Sequence, residues 1–279
     1  MSDRRLTPFS GRIALDTLRG QLEAEAFTPG EAARLVVPVA DLCPAPGALR
    51  DRQVIFGAEV LVIERRGDTA FVQAQADGYC GWLDAAALGA PVPATHCVSA
   101  PATHVYREAS IKRGEVLALS LGARLAVLET DQSFARTPEG FVPLQHIRPL
   151  DPPEADPVAV AERLLGTPYL WGGNSRAGID CSGLVQLALA QCGCPAPGDS
   201  DLQRAAFGAF LPEAEPVRRG DLFFWRGHVA MACDAGTLIH ANGHTMSVAH
   251  EPIAACLARI EAAGDSPFFG RKRPTLPKC

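Results

Sequence analysis

The chain has 279 residues, 47% of them apolar or aromatic, and carries a net charge of −5 from 26 Lys and Arg against 31 Asp and Glu. That is apolar material for two or three cores, and charges of both signs are interspersed without long runs, which argues against nucleic acid or an anionic membrane as a partner. No apolar run follows Arg4-Arg5 before Asp16, Thr17 and Arg19, so neither a signal peptide nor a membrane anchor is expected. The nine cysteines, odd in number and mostly set in apolar stretches, read as free thiols of a reducing cytoplasm rather than a disulfide framework.

Residues 1–34 read as an N-terminal arm with an amphipathic turn of helix from Ile13 to Leu22, ending before Thr28-Pro29-Gly30. Residues 35–150 read as short strands and turns with an internal repeat: Phe56-Gly57-Ala58-Glu59-Val60-Leu61-Val62-Ile63-Glu64 is echoed by Leu121-Gly122-Ala123-Arg124-Leu125-Ala126-Val127-Leu128-Glu129. Two copies of one small β-barrel, 35–92 and 93–150, explain it. Asp77-Gly78 makes a turn into Tyr79-Cys80-Gly81-Trp82, and Glu139-Gly140 holds the same place in the second copy without the aromatics. Tyr79 and Trp82 fit either a barrel core or a ligand face, Tyr79 being the better ligand contact because its phenol needs a polar partner. The proline-dense stretch from Pro149 to Pro157 reads as a linker into a unit spanning 151–279. There, helical spacing at Val158–Leu165 and Cys181–Cys192, a third helix capped by Asp199 or Ser200, and strands at 221–225, 228–233 and 237–241 predict an α+β fold.

Cys181 lies in Gly178-Ile179-Asp180-Cys181-Ser182-Gly183-Leu184, at the predicted start of a helix. Unpaired N–H groups there favour a thiolate, and Asp, Ser and Gly neighbours make poor core composition. His228 opens one strand, and a hairpin centred on Asp234-Ala235-Gly236 brings His240 onto the neighbouring strand. A nucleophilic thiol, a base and a group that orients the base are what acyl transfer needs. His244 competes with His240 for the third role. Cys192-Gly193-Cys194 has the wrong spacing for a zinc site and His240 with His244 offers no second pair, so no metal and no cofactor are expected.

Six segments in order resemble the NlpC/P60 family of papain-like cysteine peptidases: Thr167-Pro168-Tyr169-Leu170-Trp171-Gly172-Gly173, the Cys181 segment, Asp199-Ser200-Asp201-Leu202-Gln203, Gly220-Asp221-Leu222-Phe223-Phe224, His228-Val229-Ala230-Met231 and Leu238-Ile239-His240-Ala241. The Tyr79–Trp82 pattern likewise resembles bacterial SH3-like (SH3b) domains. The resemblance implies a papain-like catalytic domain behind two SH3-like barrels, acting on the γ-D-glutamyl bond to a diamino acid in small murein peptides during cell-wall recycling. It implies Cys181 as nucleophile, His228 as base, His240 as third polar residue, and Tyr169 beside the thiol as an oxyanion donor. Asp180, Ser182, Ser200 and the pocket wall Trp171 would hold the free amino end and the D-glutamyl group. From the first barrel it implies a tyrosine, matched by Tyr79, and an acidic residue for which Asp51 is the nearest counterpart. Gly198, where the family often has arginine, and the short Phe224–His228 loop depart from the pattern. Two other readings remain: an exported hydrolase of intact peptidoglycan, and a non-catalytic peptide-binding protein using its SH3b pair.

Overall fold

The computed structural model describes residues 3–264 and 266–277; Cys279, read above as a free thiol, lies outside them. The chain divides into two compact units, Met1–Leu150 and Asp151–Cys279.

The first unit is all strands and short turns. Its first half holds a five-stranded sheet ordered Cys80–Asp84, Thr69–Ala74, Glu59–Arg66, Glu31–Leu35, Leu88–Gly89, beside the hairpin of Val39–Leu42 with Arg52–Ile55. Its second half, His96 to Pro149, holds sheets of three and five strands. The repeat seen in the sequence is a repeat of backbone bonding. Gly57 N–H donates to Leu35 and Leu35 N–H to Ala58, each at 3.0 Å, while Gly122 N–H donates to Val98 and Val98 N–H to Ala123, each at 2.9 Å. Gly57 and Gly122 take φ of +76° and +85°, a region that favours glycine, so both turns require it. The 3-10 turns Ala85–Ala87 and Leu144–His146 close the two copies.

The two copies share a core. Phe56 of the first is fully buried among Val98, Val105, Leu119, Ala123, Leu125, Ala135 and Val142 of the second, and a partly buried Arg34–Glu139 ion pair joins the same two modules.

The arm departs from expectation. Ile13 to Leu22 is not helical: Ile13–Leu15 is a strand paired in parallel with Ala26–Thr28, followed by one 3-10 turn, Asp16–Leu18. Ile13 and Thr17 are β-branched and Gly20 takes φ +76°, all unfavourable to a helix, whereas the extended form packs Leu15 and Ile13 onto Ile63, Phe71, Cys80 and Trp82. The strand Glu31–Leu35, counted with the arm up to residue 34 in the sequence reading, belongs to the barrel sheet because it pairs with Glu59–Arg66.

In the second unit five antiparallel strands run Ser247–Pro252, Thr237–Asn242, His228–Ala232, Leu222–Trp225, Phe268–Lys272. The helices are α1 (Pro157–Glu162), α2 (Cys181–Gln191), α3 (Ser200–Ala206) and α4 (Ile253–Ala263). Asp156 caps α1, accepting from Val158 N–H at 2.9 Å. Every residue of α2 from Cys181 to Leu189 is buried, so α2 is a central helix laid on the strands of both histidines rather than a surface helix with one apolar side. The three segments after residue 245 (the strand Ser247–Pro252, α4 and the strand Phe268–Lys272) were not anticipated; their core faces are short and interrupted by His250, Glu251 and Gly270.

The loop before α2 is closed by three glycines. A Cβ on Gly183 would lie 2.6 Å from the Gly173 carbonyl oxygen, one on Gly173 2.5 Å from the Gly178 oxygen, and one on Gly178 2.6 Å from Leu170 Cβ. Gly183→Ala is therefore expected to cost on the order of 1–3 kcal/mol through backbone displacement, measured by urea unfolding, while losses under a few tenths of that would show the approach is slack. Phe56→Ala should destabilise the first unit by about 3–5 kcal/mol in the same assay, because it empties a core that both modules share.

Candidate active site

Cys181 is the first residue of α2 and only 6% exposed. Asp180, the N-cap, holds this end together. Its Oδ1 accepts from Gly183 N–H at 2.7 Å and from Ser182 Oγ–H at 2.9 Å, and its Oδ2 from Gly172 N–H at 2.9 Å. One carboxylate thus ties the Tyr169–Gly173 turn to the helix start. That turn is set on its other side by Tyr169 N–H donating to the Met246 carbonyl at 2.9 Å and Leu170 N–H to Ile179 at 3.1 Å.

Burial pushes the Cys181 thiol up to about 12, with the Asp180 charge adding to it, while the backbone N–H groups of Val229, Ser182 and Cys181 itself favour the thiolate. The Val229 contact places the sulfur against the strand that begins at His228. His228 Nε2 lies 2.9 Å from His240 Nδ1, leaving Nδ1 of His228 as the nitrogen able to take the thiol proton. Burial pushes His228 down to about 3 and His240 down to about 4. The strand register, fixed at Met231–Ile239 and Ala232–Leu238, makes the two histidines diagonal neighbours rather than directly opposed. His240, not His244, meets His228; His244 is exposed on the following turn. A cavity of about 250 Å³ lies between the Asn242–His244 turn and α4, with His228 among its lining residues.

Behind His240 stand two residues that sequence reasoning did not select. His240 Nε2 is 3.0 Å from Glu251 Oε2, poorly aligned for a linear hydrogen bond, and Arg259 holds Glu251 with two bonds of 2.8 and 2.7 Å. Arg259 pulls the Glu251 carboxyl down to about 2. No signal in the sequence marks Glu251, because it reaches His240 only through the unanticipated strand Ser247–Pro252, where Ala249 pairs with His240 and Glu251 lies two residues on along the same face.

Tyr169 lies near the thiol: burial and the neighbouring Cys181 and Asp180 charges raise its phenol above the usual range. Trp171 is 68% exposed on the same turn. Ser182 is buried, with its carbonyl accepting from Gln203 Nε2 at 2.9 Å, which pins α3 and its first residue Ser200 to the start of α2. Burial raises the Asp180 pKa, and the charge of Asp199, before Ser200, adds slightly to that. In the first unit, Tyr79 is 1% exposed, with Arg52 over its ring at 4.9 Å and ion-paired to Asp77. Asp51 accepts two bonds from Arg4, at 2.7 and 3.0 Å, and Trp82 is core.

Of the eight described cysteines, all but Cys43 are buried. Among the described residues, two groups bring three potential metal-ligand atoms within 4.8 Å: Glu162, Cys233 and His250, and His240, Glu251 and Cys256. Each carboxylate already has a guanidinium partner, Arg219 at 3.4 Å from Glu162 and Arg259 on Glu251. Neither group uses Cys192 or Cys194.

A buried thiol at a helix N-terminus, set against paired imidazoles on an antiparallel sheet, is the apparatus of a cysteine peptidase. Residues 166–255 match the NlpC/P60 family and residues 42–88 the bacterial dipeptidyl-peptidase SH3 domain. The chain therefore carries an NlpC/P60 peptidase domain behind a bacterial SH3 domain. It is 26% identical over 237 residues to a gamma-D-glutamyl-L-lysine dipeptidyl-peptidase of Bacillus cereus, covering 73% of this chain and 70% of that protein. With the protein of the same name from Bacillus subtilis it shares 28% over 215 residues, 68% and 71% of the two chains. It is 34% identical over 124 residues to the peptidoglycan endopeptidase RipB of Mycobacterium tuberculosis, 38% of this chain and 48% of that one. The crystal structure of an NlpC/P60 family protein from Bacillus cereus has the same fold, with a TM-score of 0.72 at 24% identity over 88% of this chain and all of that one.

Both histidines have folded-state values below the ordinary 6.5, so an unfolded chain binds protons that the folded one refuses. Stability of the second unit should fall as pH drops from about 6.5 toward 4 and 3. Glu251 continues the loss from its ordinary 4.5 toward about 2. Urea midpoints across this range should decline less steeply for His240→Asn, and an unchanged slope would contradict the burial argument.

Proposed function

We propose that this chain cleaves the γ-D-glutamyl bond to an L-diamino acid in small murein peptides such as L-Ala-γ-D-Glu-diaminopimelate or its lysine counterpart, in a cytoplasmic recycling step. The single observation behind the chemistry is the Cys181, His228, His240 array with His228 Nε2 engaged by His240. The substrate class rests on the two Bacillus relatives named for gamma-D-glutamyl-L-lysine, whose similarity extends over 73% and 68% of this chain. The cytoplasmic assignment rests on nine cysteines that are odd in number and mostly set in apolar stretches, a pattern of reducing compartments.

Cys181 attacks the γ-carbonyl carbon as its proton passes to His228 Nδ1. The Cys181 N–H and the Tyr169 hydroxyl then donate to the oxyanion that forms on the carbonyl oxygen. His228 then protonates the leaving amine, and water hydrolyses the thioester with His228 as base. Asp180 and Asp199 give the acidic surroundings that an α-ammonium group requires, and Ser182, Ser200 and Trp171 lie around them.

The likeness to RipB, confined to 38% of the chain, favours a second reading in which the substrate is intact peptidoglycan. Mass spectrometry of digests separates the two. Free tripeptide should yield L-Ala-γ-D-Glu and the diamino acid, and purified sacculi should release far less; release from sacculi alone would overturn the recycling reading.

Cys181→Ala should abolish turnover while peptide affinity by calorimetry changes little, since the nucleophile contributes little to ground-state binding. Tyr169→Phe should lower kcat by about 10²-fold with KM nearly constant, and an unchanged kcat would remove Tyr169 from the oxyanion site.

A further inference from the structure

Only one hydrogen can lie between His228 Nε2 and His240 Nδ1 when both rings are neutral, and which ring carries it decides whether His228 can work. To take the thiol proton at Nδ1, a neutral His228 must carry its hydrogen on Nε2 and donate it to a bare Nδ1 of His240. The hydrogen of His240 must then sit on Nε2. With the opposite tautomer, His240 would donate into His228 Nε2, the His228 hydrogen would move to Nδ1, and the thiol would face a donor instead of a base.

The His240 side chain is fully buried and its Nε2 meets no well-aligned hydrogen-bond acceptor, so a hydrogen on that nitrogen is held by the charge beside it rather than by a linear bond. The acceptor beside it is Glu251 Oε2 at 3.0 Å, held as an anion by the two bonds from Arg259. Resting on the Cys181, His228, His240 reading of the site, we infer that Glu251 is a positioning residue: it fixes His240 as the Nε2–H tautomer, and Arg259 keeps Glu251 available for that task. The chain of donors then runs one way, from Cys181 through His228 and His240 to Glu251. The charged and titratable groups facing His240 are His228 from the adjacent strand, Glu251 from the other adjacent strand, Cys256 and Arg259 from α4, and His244 from the turn beyond its own strand.

Long-range ¹H–¹⁵N correlation on the full chain labelled at histidine reads the tautomer directly. The expected result is His240 as Nε2–H in the wild type, a shift to Nδ1–H in Glu251→Leu, and retention in Glu251→Gln, whose amide oxygen still accepts. On the proposed peptide, Glu251→Leu should lose about 10- to 100-fold in kcat with KM within about twofold, and Glu251→Gln should keep most of its turnover. Arg259→Met serves if Glu251→Leu does not fold: by letting Glu251 protonate, it should move the acid limb of kcat/KM up by about one to two pH units. Wild-type His240 found as Nδ1–H, a tautomer indifferent to Glu251→Leu, or an acid limb unmoved in Arg259→Met would each overturn the inference. Because the tautomer is read without substrate, a protein that shows Nε2–H His240 and cleaves nothing would refute the proposed activity and leave the relay standing.

Discussion

The site is governed by the cost of making charge where there is little water. Ionised alone, the Cys181 thiol is opposed by burial and by Asp180, and His228 is opposed by burial and by His240. Ionised together by transfer of one proton, thiolate and imidazolium neutralise each other and the net charge of the site does not change. The surroundings are arranged for the paired form: backbone N–H groups of Cys181, Ser182 and Val229 meet the sulfur, and His240 meets the imidazole nitrogen that faces away from it. Nearly every other feature of the second unit serves to keep these two groups in register.

Asp180 does this for the thiol. Its two oxygens hold the Tyr169–Gly173 turn and the first turn of α2 against each other, and Gly173, Gly178 and Gly183 let the backbones approach to distances that a methyl group would forbid. The same segment that presents the nucleophile also carries Tyr169 and Trp171. Glu251 and Arg259 do the corresponding work for the imidazoles from the strand beside His240 and from α4.

Much of this was legible because it is local. The Asp-Cys-Ser-Gly cluster marks a helix start from four consecutive residues, and a hairpin with a short turn sets the separation of His228 and His240. Gly57 and Gly122 reveal the duplicated turn because a positive φ is written into the residue type. What escaped depends on contacts between distant segments. Glu251 has no distinguishing neighbourhood until its strand is laid beside that of His240, and Phe56 looks like a residue of its own module until its side chain is followed into the next. The arm at Ile13 was misread for a related reason: apolar spacing over a few residues fits a helix turn or a short strand, and tertiary packing on Phe71 and Trp82 decides between them.

The most direct measurement is the rate of iodoacetamide alkylation at each cysteine as a function of pH, mapped by mass spectrometry. If the thiolate is created by proton transfer to His228, Cys181 reacts at pH 6 to 7 ahead of the other buried thiols and keeps that reactivity well below the ordinary thiol range, and His228→Ala removes it. A Cys181 that is inert at neutral pH and reacts only under alkaline conditions, alike in the wild type and in His228→Ala, would contradict the account.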